Sequence, residues 1–363
     1  MMAAPNPFAV LRKAVEAQPP AERAAWLAAH LAAQPAKGQA YAWHVAEGLI
    51  VGQPAVLHAA ASRMIEDPLA GPHATLALAR LLHREEAFGE LRALILRTLD
   101  RPPLPRVEWL RALARTELLA PSPEAASNWR LALAEQPPLD RRALRLQREV
   151  AAGRPADPDP LLEASARAMA RIPPGVVPVP EAARSIAIVG NGSSLKGGGA
   201  GAAIERHDLV IRLNYPPLAG HERDAGRRTD LMLFHENKRP NLAALLAREP
   251  EYPTIPAFAV RGFAFEGPAR SGPPRIDNAL VGLVGAHTYS MPTTGMFAII
   301  LASVLLRRQV SLFGFFFFAP SLPVHYFGSG RAASIHEVAY ERWYATNILP
   351  LLGLDLIGLP PRA

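Results

Sequence analysis

Six glycines lie within the twelve residues Gly190–Gly201, directly after an apolar run. The run Ile186–Gly190 is short, β-branched and continuous, which predicts a buried strand of a parallel sheet. Glycines just after a strand let main-chain N–H groups approach a ligand, commonly a phosphate. The chemistry predicted for this loop is therefore nucleotide binding.

The loop differs from the two common nucleotide-binding fingerprints. Residues 190–195 read Gly-Asn-Gly-Ser-Ser-Leu, so the third glycine of GxGxxG is missing, and Asp208 begins the second predicted strand instead of ending it. No GKS or GKT sequence of a phosphate-loop ATPase occurs. On this stretch alone, a dehydrogenase-like site and a flexible glycine-rich surface loop stay open as alternatives.

A second segment that could bind phosphate is Pro292–Gly295, which precedes an apolar stretch ending in Arg307 and Arg308. Thr294 is the predicted N-cap of a helix, and the arginines suit the negative end of its dipole. Because the stretch is apolar on all sides, the helix should be buried and should offer its free N–H groups to a phosphate. A purely structural helix start is the alternative.

Two asparagines, Asn191 and Asn214, directly follow predicted strands. Ligands of open α/β sheets bind at the carboxyl ends of strands, and an amide can bind a base, a ribose or a phosphate. The alternative for each is an asparagine that stabilises a turn. His207–Asp208 is expected to be a structural pair, and Arg212, on a buried strand, is expected to have a partner.

The sequence pattern of the first half of the chain predicts helices. Residues from about Pro20 to Arg171 are rich in Ala, Leu and Arg, and "AERAAWLAAHLAAQ" and "VEWLRALARTELLA" have the apolar spacing of amphipathic helices. Pro or Gly interrupts the pattern about every 15 to 20 residues, which predicts an all-α, helical repeat-like domain over 1–171. An irregular helical bundle is the alternative, and in either case the domain is expected to be a binding or scaffolding unit, which holds an acceptor or a partner protein, and not a catalytic one.

The second half has a different pattern. Residues 172–183 are proline-rich and predict an extended linker. After it, strand-like segments such as "SIAIVG", "DLVIRLN", "TDLMLFH", "VSLFGF" and "LDLIG" alternate with helices. The pattern predicts an α/β domain over 184–363 with a Rossmann-like, mostly parallel sheet.

Composition excludes several classes of protein. The 363 residues are half hydrophobic, which predicts two folded domains, and the absence of cysteine excludes disulfides and thiolate metal sites. Met1–Arg23 has no long apolar run and Met296–Leu306 is too short to span a bilayer, so a cytoplasmic location is expected, with at most peripheral contact with the inner face of a membrane. The net charge of +7 favours anionic partners, but no basic and aromatic nucleic-acid motif occurs.

Together with the residues that follow it, the glycine loop resembles a sequence motif of a known family. Residues Ile186–Leu231, which include "HDLVIRLN" and "GHERDAGRRTDL", resemble the long sialylmotif of the sialyltransferases that use CMP-sialic acid. "PTTGMFAIILASVLLRRQVSLFGF", "HYF" and "HEVAYE" are similar to the short, third and very short motifs, in the family's order. The resemblance covers roughly Ser185–Pro361 and implies a bacterial-type, cytoplasmic member with a variant of the GT-A fold.

The resemblance also implies roles for residues. His336 would be the base that accepts a proton from the acceptor hydroxyl, and His325 would contact the phosphate; histidine, with an unperturbed pKa of about 6.5, suits both roles. Tyr326 would support the leaving group or only pack, and Glu341 is expected to be buried and structural. The predicted substrate-binding residues are Gly190, Asn191, Gly192, Ser193, Asn214, Thr293, Thr294, Gly295 and Tyr326.

The sequence departs from the family pattern at several points. The family's bridging cysteines are replaced by Ile186 and by Leu305 or Leu306, so apolar contact would replace the disulfide. Ser194 stands where the family has a second asparagine, and Thr293–Thr294 replaces the serine-containing pair. These departures affect the acceptor and the compartment more than the donor.

The implied reaction is an inverting, metal-independent transfer of sialic acid from a CMP-activated donor to a hydroxyl of a glycan or glycolipid. The donor is a substrate, and no cofactor is expected. Two alternatives stay open: the same chemistry with CMP-Kdo in surface polysaccharide synthesis, and a non-catalytic nucleotide-binding protein whose helical half recruits other proteins.

Overall fold

The computed structural model describes residues 13–19, 22–33, 78–80, 82–83, 85–99, 106–170, 183–235, 238, 241–260, 292–306, 308–315, 325–327, 337–352 and 356–357. The chain divides into two compact units, Met1–Leu144 with Arg331–Ala339 and Arg145–Gly330 with Tyr340–Ala363. Residues 172–182 of the predicted linker lie outside the described ranges, so the predicted domain boundaries stay predictions. Within those ranges, no helix is long and apolar enough to cross a bilayer.

The described part of the first unit is helical. Its helices are α1 (Arg23–Ala33), α2 (Phe88–Thr98), α3 (Arg106–Leu119), α4 (Ala125–Ala134) and the start of α5 (Pro138–Ala151). Helix α3 packs against α2 and α4 and buries Trp109, Leu110 and Leu113, as its amphipathic spacing predicts. The predicted helices α1 and α3 are confirmed, whereas their arrangement as repeats stays a prediction.

In its described residues, the second unit is an α/β unit around a parallel sheet of six strands. Its strands are β1 (Ser185–Val189), β2 (Leu209–Leu213), β3 (Leu231–His235), β4 (Ala257–Val260), β5 (Gln309–Phe313) and β6 (Leu356–Ile357). Its helices after α5 are α6 (Asp159–Met169), α7 (Gly201–Glu205), α8 (Glu222–Ala225), α9 (Leu242–Leu246), α10 (Thr294–Ile300) and α11 (Val338–Asn347), the last of which begins in the first unit.

The strand order places the predicted loop at a defined point of the sheet. The order is β4-β3-β2-β1-β5-β6, and every neighbouring pair is parallel. The chain therefore adds strands on one side of β1 and then returns to the other side, which makes the gap between β1 and β5 the topological switch point. Ligands of such sheets bind in the crevice at the carboxyl ends of the strands there.

Most of these elements follow the apolar pattern of the sequence, because their apolar residues pack in the core. Strands β1 and β2 are almost wholly buried, and all seven residues of α10 are buried, as predicted from their apolar runs. Helix α10 continues into a π-helical turn at Leu301–Leu305. Strand β4 was not predicted, because this four-residue strand lies at the edge of the described sheet beside β3 and follows a proline that is typical of a loop.

Candidate functional site

The glycine turn after β1 is locked onto the end of β5. The N–H of Gly190 donates to the carbonyl of Phe313 at 2.8 Å, and that of Gly192 donates to Gly314 at 3.1 Å. A Cβ on Gly190 would lie 2.8 Å from the Gly314 oxygen, and one on Gly314 (φ +71°) would lie 2.6 Å from the Gly190 oxygen. These two glycines are therefore required by the close approach of two main chains, and the N–H groups of Gly190 and Gly192 are already paired.

Asn191 has a fixed orientation with one unused acceptor. Its Nδ2 donates to the carbonyl of Leu213 at 2.8 Å, and its own carbonyl accepts from the N–H of Tyr326 at 3.0 Å. Its Oδ1 is buried and has no hydrogen-bond partner. Because Nδ2 is held by β2, Oδ1 presents an acceptor to whatever group approaches it.

Two further buried atoms close to this turn also lack partners: Oγ of Ser193 and Nδ1 of His325. The ring of His325 stacks on Phe327 with centroids 5.0 Å apart. Burial lowers the pKa of His325, the main chain of Asn191 partly opposes this, and the Lys238 ammonium lowers the pKa further, so the imidazole is neutral at pH 7. We call Asn191, Ser193 and His325 the polar cluster; each of its unpaired atoms costs about 1–3 kcal/mol until it finds a partner.

The rest of the glycine loop is already bound to a carboxylate. Asp224 accepts from the N–H groups of Gly197 at 2.7 Å and Gly199 at 2.9 Å, and these bonds lower the pKa of its carboxyl below the usual value. Both glycines have positive φ, which other residues rarely adopt. The N–H groups of Gly197 and Gly199 are therefore bonded within the protein, whereas the unpaired polar atoms belong to the polar cluster.

Tyr326 and Asn214 are used by the scaffold. The Tyr326 hydroxyl donates to the carbonyl of Pro217 at 2.8 Å, and burial raises the pKa of Tyr326 to about 12. Asn214 has a φ of +59°, and its Oδ1 accepts from the N–H of His235 at 2.9 Å. These contacts agree with the packing and turn-stabilising alternatives considered for these two residues.

The cap of α10 corrects a prediction. Thr293, and not Thr294, is the N-cap: its Oγ1 accepts from the N–H of Met296 at 3.0 Å, whereas Thr294 is already helical and buried. Glu341 of α11 accepts from both the N–H and the hydroxyl of Thr293, each at 2.6 Å. Glu341 is 1% exposed, in agreement with its predicted structural role, and it places a carboxylate where the positive end of the helix would attract an anion.

The glycine turn and the start of α10 contact the same aromatic ring. A Cβ on Gly190 would lie 3.2 Å from Cε2 of Phe315, and a Cβ on Gly295 would lie 2.7 Å from Cε1 of that ring. The two segments predicted to bind phosphate therefore lie close together. The position of Phe315 between these two glycines becomes visible only in the tertiary structure.

The other singled-out residues of this unit are structural. His207 bonds the carbonyl of Ala203 at 3.0 Å, and Asp208 accepts from the N–H groups of Arg184 and Ser185. The partners of the fully buried Arg212 are the carbonyls of Ala225 and Arg228 and the hydroxyl of Thr229.

His336 lies outside the described residues, so the role predicted for His336 stays a prediction. In the part of the chain that the structure describes, no group of three or more His, Asp or Glu residues is arranged to hold a metal ion. Whether the chemistry needs a metal stays a prediction as well.

Comparisons with known proteins point to one class of enzyme. The family model of glycosyltransferase family 29 (sialyltransferase) matches residues 162–252, less than half of the chain. A type 2 lactosamine alpha-2,3-sialyltransferase of Rattus norvegicus is 25% identical over 204 residues, which are 44% of this chain and 59% of the relative. CMP-N-acetylneuraminate-beta-galactosamide-alpha-2,3-sialyltransferase 4 of Homo sapiens is 46% identical over 52 residues, 14% of this chain and 16% of the relative.

A crystal structure of a mammalian sialyltransferase in complex with Gal-beta-1-3GalNAc-ortho-nitrophenol gives a TM-score of 0.35 at 21% identity, too low to establish a shared fold. It covers 65% of this chain and 86% of that chain. The chain thus spans about three fifths or less of the curated relatives named above. The matches support the predicted enzyme class, a glycosyltransferase; these relatives are mammalian, so the predicted bacterial type stays a prediction.

Proposed function

We propose that this chain is a sialyltransferase-type glycosyltransferase, which moves sialic acid from a CMP-activated donor to a hydroxyl of a glycan or glycolipid. The observation that carries the proposal is the polar cluster, whose buried, unpaired atoms lie at the switch point of the sheet. Asn191 and Ser193 belong to the segment that matches the sialyltransferase family model. Buried polar atoms without partners are rare in folded proteins, and a ligand would satisfy them.

The chemistry of the cluster suits a cytidine monophosphate. Oδ1 of Asn191 accepts a hydrogen bond from the amino group of cytosine or a ribose hydroxyl. The hydroxyl of Ser193 and the imidazole of His325 can donate to phosphate oxygens. A neutral His325 binds the phosphate by a hydrogen bond, without adding a fixed positive charge.

The start of α10 takes a smaller share of phosphate binding than the sequence predicts. Its cap is filled by Thr293 and its anion position by Glu341. We therefore propose that Thr294 and Gly295 shape the cleft that receives the CMP group, whereas the polar cluster makes the direct contacts with that group. Phe315 lies between the glycine turn and this helix and sets the space that is left for the ligand.

In the proposed transfer, the acceptor oxygen attacks the anomeric carbon while the bond from that carbon to the phosphate breaks. His336 takes the proton of the acceptor hydroxyl, and the electron pair of the broken bond leaves with CMP. Direct displacement inverts the anomeric configuration. General base catalysis of this kind is worth about 10²–10⁴-fold in rate.

A binding and release experiment tests the proposal. We expect calorimetry to show CMP binding more tightly than UMP, and we expect CMP to be released from CMP-sialic acid in the presence of a galactoside acceptor. Release from CMP-Kdo alone would assign the other donor. Binding of CMP without release from either sugar would identify a nucleotide-binding module, and absence of CMP binding would remove the proposal.

Ser193→Ala tests the polar cluster itself, with Ser194→Ala as its matched control. Ser193 has a buried, unpaired hydroxyl, whereas its neighbour Ser194 is exposed. Loss of one hydrogen bond to a charged phosphate corresponds to about 1.5–3 kcal/mol, so we expect CMP to bind at least about tenfold more weakly to the first variant. Equal affinities of the two variants would contradict the assignment.

The location and partners expected from the sequence remain part of the proposal. We propose that the protein is cytoplasmic, with at most peripheral contact with a membrane. We also propose that its acceptor is a surface glycan and that its helical half binds a partner protein. Fractionation of cells and co-purification with the separately expressed helical segment would test them.

A further inference from the structure

The main chain that follows β2 turns through an uncommon conformation. Asn214 has a φ of +59° and Tyr215 a φ of +54°, in the left-handed region that residues other than glycine seldom adopt. Such residues persist only where the surrounding structure holds them, and they concentrate at functional sites. We call residues 214–219 the clamped turn, because side chains from outside it bind much of its main chain.

Two side chains from the segment after α9 hold carbonyls of the clamped turn. Nη1 of Arg248 donates to the carbonyl of Tyr215 at 2.7 Å, and the hydroxyl of Tyr252 donates to the carbonyl of Pro216. Burial raises the pKa of Tyr252, so this hydroxyl keeps its proton and remains a donor at neutral pH. The first half of the turn is therefore fixed from outside.

Glu249 holds the second half of the clamped turn. It is 2% exposed, and its Oε1 accepts from the N–H groups of Leu218 and Ala219. A buried carboxylate costs much free energy unless it is hydrogen-bonded, so these two bonds fix the carboxylate and the turn together. Pro217 lies between the two halves and is held from both sides.

Pro217 connects the clamped turn to the polar cluster. Its carbonyl accepts from the hydroxyl of Tyr326 at 2.8 Å, and the N–H of Tyr326 donates to the carbonyl of Asn191 at 3.0 Å. The buried Tyr326 is thus held at its hydroxyl and at its main chain. Consecutive Cα atoms are about 3.8 Å apart, so a fixed Tyr326 restricts the main chain of the adjacent His325.

The aromatic rings give a second connection from Tyr326 to the imidazole. The ring of Tyr326 meets that of Phe327 edge-on, with centroids 5.0 Å apart. Phe327 in turn stacks on the ring of His325, again with centroids 5.0 Å apart. The position of His325 therefore depends on Tyr326 through the main chain and through the rings.

We propose that Tyr326, anchored by the clamped turn, positions His325 for its contact with the phosphate of the nucleotide. This rests on the proposed function, in which His325 donates to phosphate oxygens. Tyr326, Tyr252 and Glu249 are positioning residues: they act through the carbonyl of Pro217 and through His325. Tyr326 thereby supports the leaving phosphate without a contact of its own.

Tyr326→Phe tests the proposal, because it removes the bond to Pro217 and keeps the ring. The matched control is Tyr340→Phe: Tyr340 is also fully buried, and its hydroxyl donates to Oε1 of Gln147 at 3.0 Å. Melting curves check that each variant folds. If Tyr326→Phe does not fold, Tyr252→Phe, which releases the clamped turn at Pro216, takes its place.

Two quantities are measured on each folded protein. The first is the pKa of His325, from NMR titration of the imidazole signal that disappears in His325→Gln. The second is the Kd for CMP and for cytidine, from calorimetry. Cytidine lacks the phosphate, so the comparison isolates the contact that His325 is proposed to make.

In Tyr326→Phe we expect the lowered pKa of His325 to move back toward its usual value of about 6.5, because a displaced ring is less buried. We expect the Kd for CMP to rise about threefold to tenfold, since a misdirected hydrogen bond to the phosphate is partly lost. The Kd for cytidine should stay within about twofold of wild type. Tyr340→Phe should leave all three values unchanged.

An unchanged pKa of His325 in folded Tyr326→Phe would overturn the proposal, as would an equal change in the control. Equal weakening of CMP and cytidine binding would indicate general loosening of the site and would overturn it too. A shifted pKa with unchanged affinity for CMP would overturn the phosphate contact of His325. If the wild type binds no CMP, the proposed function fails, and the pKa alone decides whether Tyr326 positions His325.

Discussion

The glycine turn, which carries Asn191 and Ser193 of the polar cluster, and the start of α10 contact the same ring, that of Phe315, yet the hydrogen bonding of the polar cluster and of the helix start is opposite. In the polar cluster, Oδ1 of Asn191, Oγ of Ser193 and Nδ1 of His325 are buried without partners. At the start of α10, the hydroxyl and N–H of Thr293 are paired with the protein, and Glu341 supplies a carboxylate. Sequence motifs mark both segments equally, but the first is built to receive a ligand and the second to hold a shape.

This difference in hydrogen bonding predicts whether a substitution acts on stability or on affinity for the ligand. Changes at the start of α10 remove bonds that the folded protein already makes, so they should act mainly on stability. Changes in the polar cluster remove bonds that form only with a ligand, so they should act mainly on affinity.

The largest effect is expected for Glu341→Ala. The substitution leaves the N–H and hydroxyl of Thr293 buried without their acceptor, and two charge-assisted bonds together are worth about 3 kcal/mol or more. We expect urea denaturation to show this loss of unfolding free energy. Glu341→Gln keeps one acceptor and should lose less; equal stability of wild type and Glu341→Ala would remove the contrast between the two regions.

Gly295→Ala is expected to come next. Its Cβ would lie 2.7 Å from the ring of Phe315, so the ring must shift, at a cost of about 1–3 kcal/mol for overpacking. We expect weaker CMP binding together with a lower melting temperature, and recovery of both when Phe315→Leu is added. Gly89→Ala is the control, since a Cβ there meets nothing within 4 Å; a similar loss in the control would contradict the steric explanation.

A smaller effect is expected from pH. The pKa of His325 is lowered in the folded state, so the unfolded chain takes up a proton first as the pH falls below about 6.5. The stability of the wild type should therefore fall between that pH and the lower folded-state pKa, and should not change from this group at higher pH. Unfolding free energies of wild type and His325→Gln, measured from pH 8 to pH 5, should converge on the acid side; parallel curves would show that His325 is not the group responsible.

The smallest effect on affinity is expected for Asp224→Asn. Asp224 binds the N–H groups of Gly197 and Gly199, in the part of the loop that closes on the protein. Since this surface contact lies apart from the polar cluster, calorimetry should give a Kd for CMP within about threefold of wild type. A loss as large as that of Ser193→Ala would mean that the whole glycine loop, and not the cluster alone, forms the binding site.

Much of the site was predictable, but not how each residue is used. The glycine turn after β1 and the buried helix α10 follow from apolar runs and glycine spacing, and the structure confirms both. The cap was assigned one residue too late, because Thr293 and Thr294 are chemically alike and only the main-chain angles separate them. Strand β4 was missed because a short edge strand gives too weak a pattern.

By itself, the sequence determined the local features of this protein: where strands and helices form, which faces are apolar, and which segments carry polar residues suited to a nucleotide. The tertiary structure alone decided which of those polar groups are already paired, because the partners lie far apart along the chain, as Glu341 does from Thr293 by 48 positions. Periodicity and propensity act over a few residues, whereas pairing depends on which distant segments the core brings together. That is why the motifs located both regions, and only the folded chain distinguished the one with unpaired groups from the one that is complete.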